Sequence, residues 1–292
     1  MKAVGGLSSC RVVVLAEDSV QYESSLLGQH GISFLVEARK DGLSRRVLVD
    51  VGQNASALLH NMKILGIEPS SVDMIVLTHC HYDHTQGLVD ILKAVGKKDI
   101  PVIAHPESFR LNFVTEPYLR HVGFSSGDSR ARIEEAGGLL FLSRDVLQIV
   151  PGLLTTGEVP RITEFEEVGI PLKTLTDGRI VQDLMGDDIA VIAQARETGI
   201  FIITGCSHAG IVNIVKRAVD ITGENRICGI IGGLHLVEAP DERIRKTVDA
   251  LCGHNPEWIA AGHCTGFKAQ IALFQAFKEK FKPLQTGMSF EF

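Results

Sequence analysis

The chain reads as a mixed α/β protein in which two β-sheets pack face to face with helices on the outside. Three observations lead there. Short runs rich in Val, Ile and Leu cluster near the start of the chain. Strand-like and helix-like segments then alternate, and this order occurs in both halves. Of 292 residues, 45% are hydrophobic and 22% charged, which suffices for a large buried core.

Residues 11–16, 32–38 and 46–51 are β-like runs separated by polar or Gly-containing stretches. Residues 55–65 follow as a helix, because Ala55, Leu58, Leu59, Met62 and Leu65 fall on one face. After a turn at 67–71 come a short apolar strand (72–77), a helix (86–95) and a strand (100–104). Residues 106–187 mix Gly, Pro and charges with short apolar runs such as 139–142 and 146–150, and read as a lid-like insertion. Order returns with a hairpin (189–195 and 199–204), a helix (209–221), a strand (226–231), a helix (241–252), a strand (258–261) and a closing helix (267–281). With no fixed-period repeat and no low-complexity linker, residues 1–292 are expected to form one domain.

The net charge of −6, with scattered Lys and Arg, argues against nucleic acid or an acidic membrane as partner. One Trp and three Tyr leave little on which bases could stack. There is no uncharged apolar run of membrane-spanning length. The six cysteines contain no CxxC pair, and Cys80, Cys206 and Cys264 lie within two residues of a histidine. Reduced thiols in a cytoplasmic protein fit that distribution. Leu7-Ser8-Ser9-Cys10 looks like a lipoprotein cleavage box, but nine residues before Cys10 hold no apolar signal core.

The strongest chemical signal follows the strand at 72–77. His79, His81, Asp83 and His84 place four metal-ligating groups within six residues. Imidazole nitrogen and carboxylate oxygen bind zinc and similar divalent ions. His79 and His81 point to one side of an extended segment, whereas Asp83 and His84 follow a turn and can face a second ion.

Thr78-His79-Cys80-His81-Tyr82-Asp83-His84 resembles the signature of the metallo-β-lactamase superfamily. The resemblance implies an αβ/βα four-layer sandwich with a binuclear metal site at one edge of the sheets. It implies that Asp50 orients the ligand loop without binding metal, and that His263, in Ala260-Ala261-Gly262-His263-Cys264-Thr265-Gly266, is the last ligand histidine. In Thr204-Gly205-Cys206-Ser207-His208, Cys206 stands where many members carry a bridging Asp. His208 is then the third imidazole of the first metal, beside His79 and His81, while Cys206 either ligates the second metal or packs. These motifs, with Gly232-Gly233-Leu234-His235-Leu236, resemble the subgroup similar to 7,8-dihydropterin-6-methyl-4-(β-D-ribofuranosyl)aminobenzene-5′-phosphate synthase.

His235, after a double glycine, is a candidate substrate contact, a metal contact or a core histidine. Thr156-Gly157-Glu158-Val159-Pro160-Arg161 reads as a surface turn. The expected cofactors are two divalent ions, zinc first, with iron or manganese as alternatives. The expected function is hydrolysis of an ester, phosphoester or related bond in a small molecule, with Asp83 taking a proton from the attacking water. The alternative is a synthase-like transferase joining an aromatic acid to phosphoribosyl diphosphate in pterin cofactor biosynthesis. A third reading is a di-iron redox protein or a metal-binding protein without catalysis.

Overall fold

The computed structural model describes residues 6–195 and 198–292. Two seven-stranded sheets dominate it. The first comprises Ser9–Ala16, Ser33–Lys40, Leu43–Val49, Met74–Val76, Ile100–Ala104, Gly138–Leu142 and Ser289–Glu291. The second comprises Gln148–Val150, Leu153–Thr155, Val191–Ala195, Gly199–Ile203, Ile227–Gly233, Ile259–Gly262 and Phe281–Pro283.

Period-two alternation decides what each face meets. Val12, Val14, Phe34, Val36, Val47 and Val49 of the first sheet share one buried cluster with Phe201, Ile203, Ile231 and Ala260 of the second. That cluster is the sandwich interior. The intervening Val13, Leu15, Leu35 and Leu48 pack outward with Leu58 and Met62 of helix Ala55–Ile64 and Ile91 and Leu92 of helix Leu88–Val95. Ile200, Ile202 and Ile230 pack on the other outside, with helices Ile211–Thr222, Asp241–His254 and Phe267–Phe277. The resulting layers are helices, sheet, sheet, helices: the metallo-β-lactamase sandwich. Among the described residues, no helix is long and apolar enough to cross a membrane.

The expected helix at 86–95 is present from Leu88 to Val95, preceded by a separate helical turn. Tyr82–Thr85 forms one helical turn, and Leu88–Val95 begins only after Gly87 at φ 102°. A Cβ at Gly87 would lie 3.0 Å from that of Ala55, so the close approach of two helices needs glycine there. The closing helix ends at Phe277, and Phe281–Pro283 is an edge strand parallel to Ile259–Gly262. Phe277 and Phe281 are both buried, so their spacing suits a continuous helix as well as the observed break.

Residues 106–187 divide among three places. Gly138–Leu142 extends the first sheet, and Gln148–Val150 with Leu153–Thr155 extends the second. Phe113–Val114, Arg120–His121, Lys173–Thr176 and Arg179–Gln182 form a separate four-stranded sheet. The edge strand Gly138–Leu142 leaves Leu139 and Phe141 exposed.

From Leu43–Val49 to Gly138–Leu142 the first sheet is parallel, and so is the second from Gly199–Ile203 to Phe281–Pro283. Parallel strands present their C-terminal ends at a common edge. Open α/β sheets bind ligands in the crevice there.

Candidate metal centre

Each sequence-derived site residue follows one of these strand ends. Asp50 follows Leu43–Val49, and the 78–84 segment follows Met74–Val76. Cys206 and His208 follow Gly199–Ile203, His235 follows Ile227–Gly233, and His263 follows Ile259–Gly262. Asp50, Ser207, His235 and His263 all have positive φ (57°, 62°, 44° and 49°). Non-glycine residues hold that conformation only where the surroundings dictate it, and such positions cluster at functional sites.

Buried Asp50 organises the first loop. Its Oδ1 accepts the Thr78 N–H at 2.7 Å, and its Oδ2 accepts the Thr78 hydroxyl at 2.7 Å. Having donated its single proton, the Thr78 hydroxyl accepts from His79 Nδ1 at 3.1 Å. That tautomer leaves the His79 Nε2 lone pair free. His84 Nδ1 likewise donates to Asp50 Oδ2 at 2.7 Å, which turns His84 Nε2 toward Cys206 and Asp83. His81 Nε2 lies 3.1 Å from Asn112 Oδ1; when it donates there, Nδ1 carries the lone pair. Partners of this kind fix ring orientation in metal-binding histidines.

The second sheet brings the remaining groups. Ser207 Oγ donates to the Gly233 carbonyl at 2.7 Å, and the Gly233 N–H donates to the Gly205 carbonyl at 2.8 Å, tying two strand ends together. Arg161 donates to the His208 carbonyl at 2.8 Å, and Asp188 accepts the Ala209 N–H at 2.7 Å. His263 donates its N–H to Glu17 at 2.5 Å, while its Nδ1 and Nε2 lie 3.1 Å from carboxylate oxygens of Asp18 and Asp83.

Two adjoining ligand sets result. One atom from each of Asp83, His84, Cys206 and His263 lies within 4.8 Å of the others, and the same holds for His79, Cys206 and His208. Cys206 belongs to both sets; its Sγ lies 3.1 Å from His84 Nε2. His81 packs its ring 4.8 Å from His79 and 4.7 Å from His208. The His235 ring lies tilted 4.1 Å from that of His208, and His235 forms a further set with Cys206 and Cys264.

The residues fit a cation. His79 Nε2 and both ring nitrogens of His208 are buried without a hydrogen-bond partner. Buried polar atoms are rarely left so, and an ion is one standard remedy. Burial and neighbouring imidazoles hold His79 and His208 well below the usual histidine range, and burial takes His81 down to about 4. Burial alone would raise Asp83, but His84 and His263 hold it well below the carboxylate range. Burial alone would lower His84, but Asp83 and Asp50 raise it to about 9. Burial pushes the Cys206 thiol well up.

Several contributors escaped the sequence reading. Glu17 and Asp18 directly follow strand Ser9–Ala16, and that strand-end position was the available signal. Asn112 had none. Its Nδ2 donates to Asp183 at 2.8 Å, Arg110 joins Asp183 to Asp187, and Asp187 accepts the Cys80 N–H at 2.8 Å. The 156–161 segment is not simply a surface turn, since Thr156 and Val159 are buried and Arg161 supports His208.

The centre opens into a cavity of ≈ 410 Å³. Its lining includes the polar His81, Asp83, His208, His235 and His263 and the apolar Val114, Val122, Ile170 and Leu172.

A family profile described as "Beta-lactamase superfamily domain" matches residues 45–127. The chain is 41% identical over 292 residues to 7,8-dihydropterin-6-methyl-4-(β-D-ribofuranosyl)-aminobenzene-5′-phosphate synthase of Methanocaldococcus jannaschii, covering 99% of both chains. This chain belongs to the metallo-β-lactamase superfamily, in the group of that synthase. A crystal structure described as Tm1679, a metal-dependent hydrolase of the superfamily, superposes with a TM-score of 0.78 at 25% identity, covering 96% of this chain and 98% of that one. A diphosphatase of the PhnP family superposes at a TM-score of 0.53 and 13% identity, covering 98% of both, and shares the fold. The two superfamily sheets therefore carry, at their common edge, residues able to hold metal.

Proposed function

We propose that the chain is a metal-dependent transferase that joins a dihydropterin to a phosphorylated ribosyl-aminobenzene. The observation that carries this reading is the 41% identity to the synthase across 99% of both chains. The product in that relative's name contains a dihydropterin, a bridging methyl carbon, an aminobenzene and a ribosyl 5′-phosphate. Forming it from two halves makes a bond from the arylamine nitrogen to the methylene carbon. The C–O bond to a diphosphate leaving group breaks, and the nitrogen loses a proton. This differs from joining an aromatic acid to phosphoribosyl diphosphate, which makes the ribosyl–arene bond instead.

Two divalent ions are proposed, one in each ligand set, with zinc suited to imidazole, carboxylate and thiolate donors together. Bound there, they would supply Lewis acidity toward a departing diphosphate. Asp83, which lines the cavity beside the ligand histidines, is the carboxylate proposed to accept the arylamine proton. The cavity holds the two rings in contact and limits water, which would otherwise intercept the activated carbon.

The resemblance to the hydrolase Tm1679 favours a second reading, attack by water on an ester or phosphoester in the same site. Zinc-loaded protein supplied with a dihydropterin-6-methyl diphosphate and 4-(β-D-ribofuranosyl)aminobenzene 5′-phosphate distinguishes the two. Coupled product by mass spectrometry with matching pyrophosphate release is expected. Pyrophosphate release without coupled product, or turnover confined to ester and phosphodiester substrates, favours the hydrolase. Turnover of phosphoribosyl diphosphate with 4-hydroxybenzoate assigns the ribosyl–arene step instead.

A further inference from the structure

We infer that Arg120 anchors the substrate's terminal phosphate at the cavity rim, while the adjoining face of the four-stranded sheet covers an aromatic ring. This assignment rests on the transferase reading above and adds a substrate subsite to it.

Strand register builds this wall. Val114 pairs directly with Arg120, and Phe113 pairs with both His121 and Lys173. Directly opposed residues in antiparallel strands project to the same face, and their neighbours along the strand project to the other. Val114 and Arg120 therefore share a face, and both line the cavity, as does Leu172 just before strand Lys173–Thr176. The ribbon is tied to the metal loop by the Tyr82 N–H, which donates to the Val122 carbonyl at 3.0 Å, and by the Val122 N–H, which donates to the Asn112 carbonyl. The ribbon thus adds apolar side chains to the lining of the cavity that also holds the histidines.

Charge selects the anion's place. Arg120 is the only Lys or Arg among the described residues lining this cavity. It is exposed, and no carboxylate among the described residues forms an ion pair with it. Asp18, Glu116 and Glu238 also line the cavity, and their carboxylates repel an anion, which leaves Arg120 as the attractive side chain outside the metal centre. The burial gradient separates two tasks: the metal donors are buried, whereas Arg120 lies in solvent. A substrate whose reacting amine sits at the buried end and whose phosphate trails outward matches this layout. A guanidinium suits the trailing group because it can bind phosphate through two parallel hydrogen bonds.

Calorimetric titration of the zinc-loaded protein with 4-(β-D-ribofuranosyl)aminobenzene 5′-phosphate and with the same riboside lacking phosphate tests the subsite. Wild type should bind the phosphorylated form roughly 10- to 100-fold more tightly, the range for losing a charge-assisted hydrogen bond. Arg120→Gln should remove that preference, and Arg120→Lys should retain part of it. Val114→Ser should weaken both ligands alike. Undiminished phosphate preference in Arg120→Gln overturns the anchor while leaving the transferase reading intact. An unchanged Val114→Ser overturns the ring seat. Absence of binding of either ligand to wild type defeats the transferase reading and the subsite together.

Discussion

His84 Nδ1 lies 2.7 Å from Asp50 Oδ2, and both side chains are fully buried. The same carboxylate accepts both Thr78 donors, so one residue sets the backbone of the 78–84 loop and the orientation of two of its imidazoles. Asp50→Asn can keep the shape but replaces one acceptor oxygen with an N–H donor. Metal affinity should fall roughly 10- to 100-fold, as for other partners of metal-bound histidines. Competition titration against a chromophoric chelator checks this, and wild-type affinity in the variant removes Asp50 from the organising role.

Cys206 lies at the junction of both ligand sets, where its thiol is raised by burial. If it ligates as thiolate, loading the protein with metal must release its proton. Cobalt-substituted wild type should show a sulfur-to-metal charge-transfer band, and metal addition in weakly buffered solution should acidify it. Cys206→Ser should lose the band and release fewer protons. Identical spectra would reduce Cys206 to a packed side chain.

The metal-free protein should lose stability on mild acidification. The folded pKa of His81 is depressed to about 4, and those of His79 and His208 are depressed as well. Below the unfolded histidine value of about 6.5, the unfolded chain binds protons that the folded chain refuses, so stability falls with pH. His84 acts in a different window: raised to about 9, it favours the folded state most below 6.5 and loses that contribution as pH rises toward 9. Urea midpoints with chelator present should therefore peak near neutrality and fall on both sides. A midpoint that rises between pH 6.5 and 5 contradicts the burial of neutral imidazoles.

Gly205 carries no side chain for a steric reason. A Cβ there would collide with Thr78 Oγ1 and crowd Asp50 Oδ2. Gly205→Ala should cost about 1–3 kcal/mol by overpacking and should weaken metal binding through the displaced loop. Denaturant unfolding and metal titration read the two effects separately. A fully stable variant with normal metal content contradicts the packing described.

Asn112→Leu removes the acceptor beside His81 Nε2 and the donor to Asp183 at similar side-chain size. The altered His81 orientation should reduce metal content more than it reduces helical signal. Elemental analysis alongside circular dichroism measures both. Unchanged metal content would limit Asn112 to the Arg110–Asp183 network.

Most strands of the two main sheets and the local half of the centre were legible in the amino-acid order, whereas the strands within 106–187 were not. Strand and helix periods leave their marks in residues close together, and four donor groups lie within the six residues from His79 to His84. Tertiary structure decided the rest, because it depends on contacts between distant segments. Parallel strand ends bring residues 206, 208, 235 and 263 to the 79–84 loop, and they make Cys206 common to two ligand sets. Glu17 and Asp18 meet His263 across more than 240 positions of chain. Asn112 and Arg120 carry no pattern of their own, since each gains its place only when a ribbon from the irregular middle of the chain docks beside the metal loop.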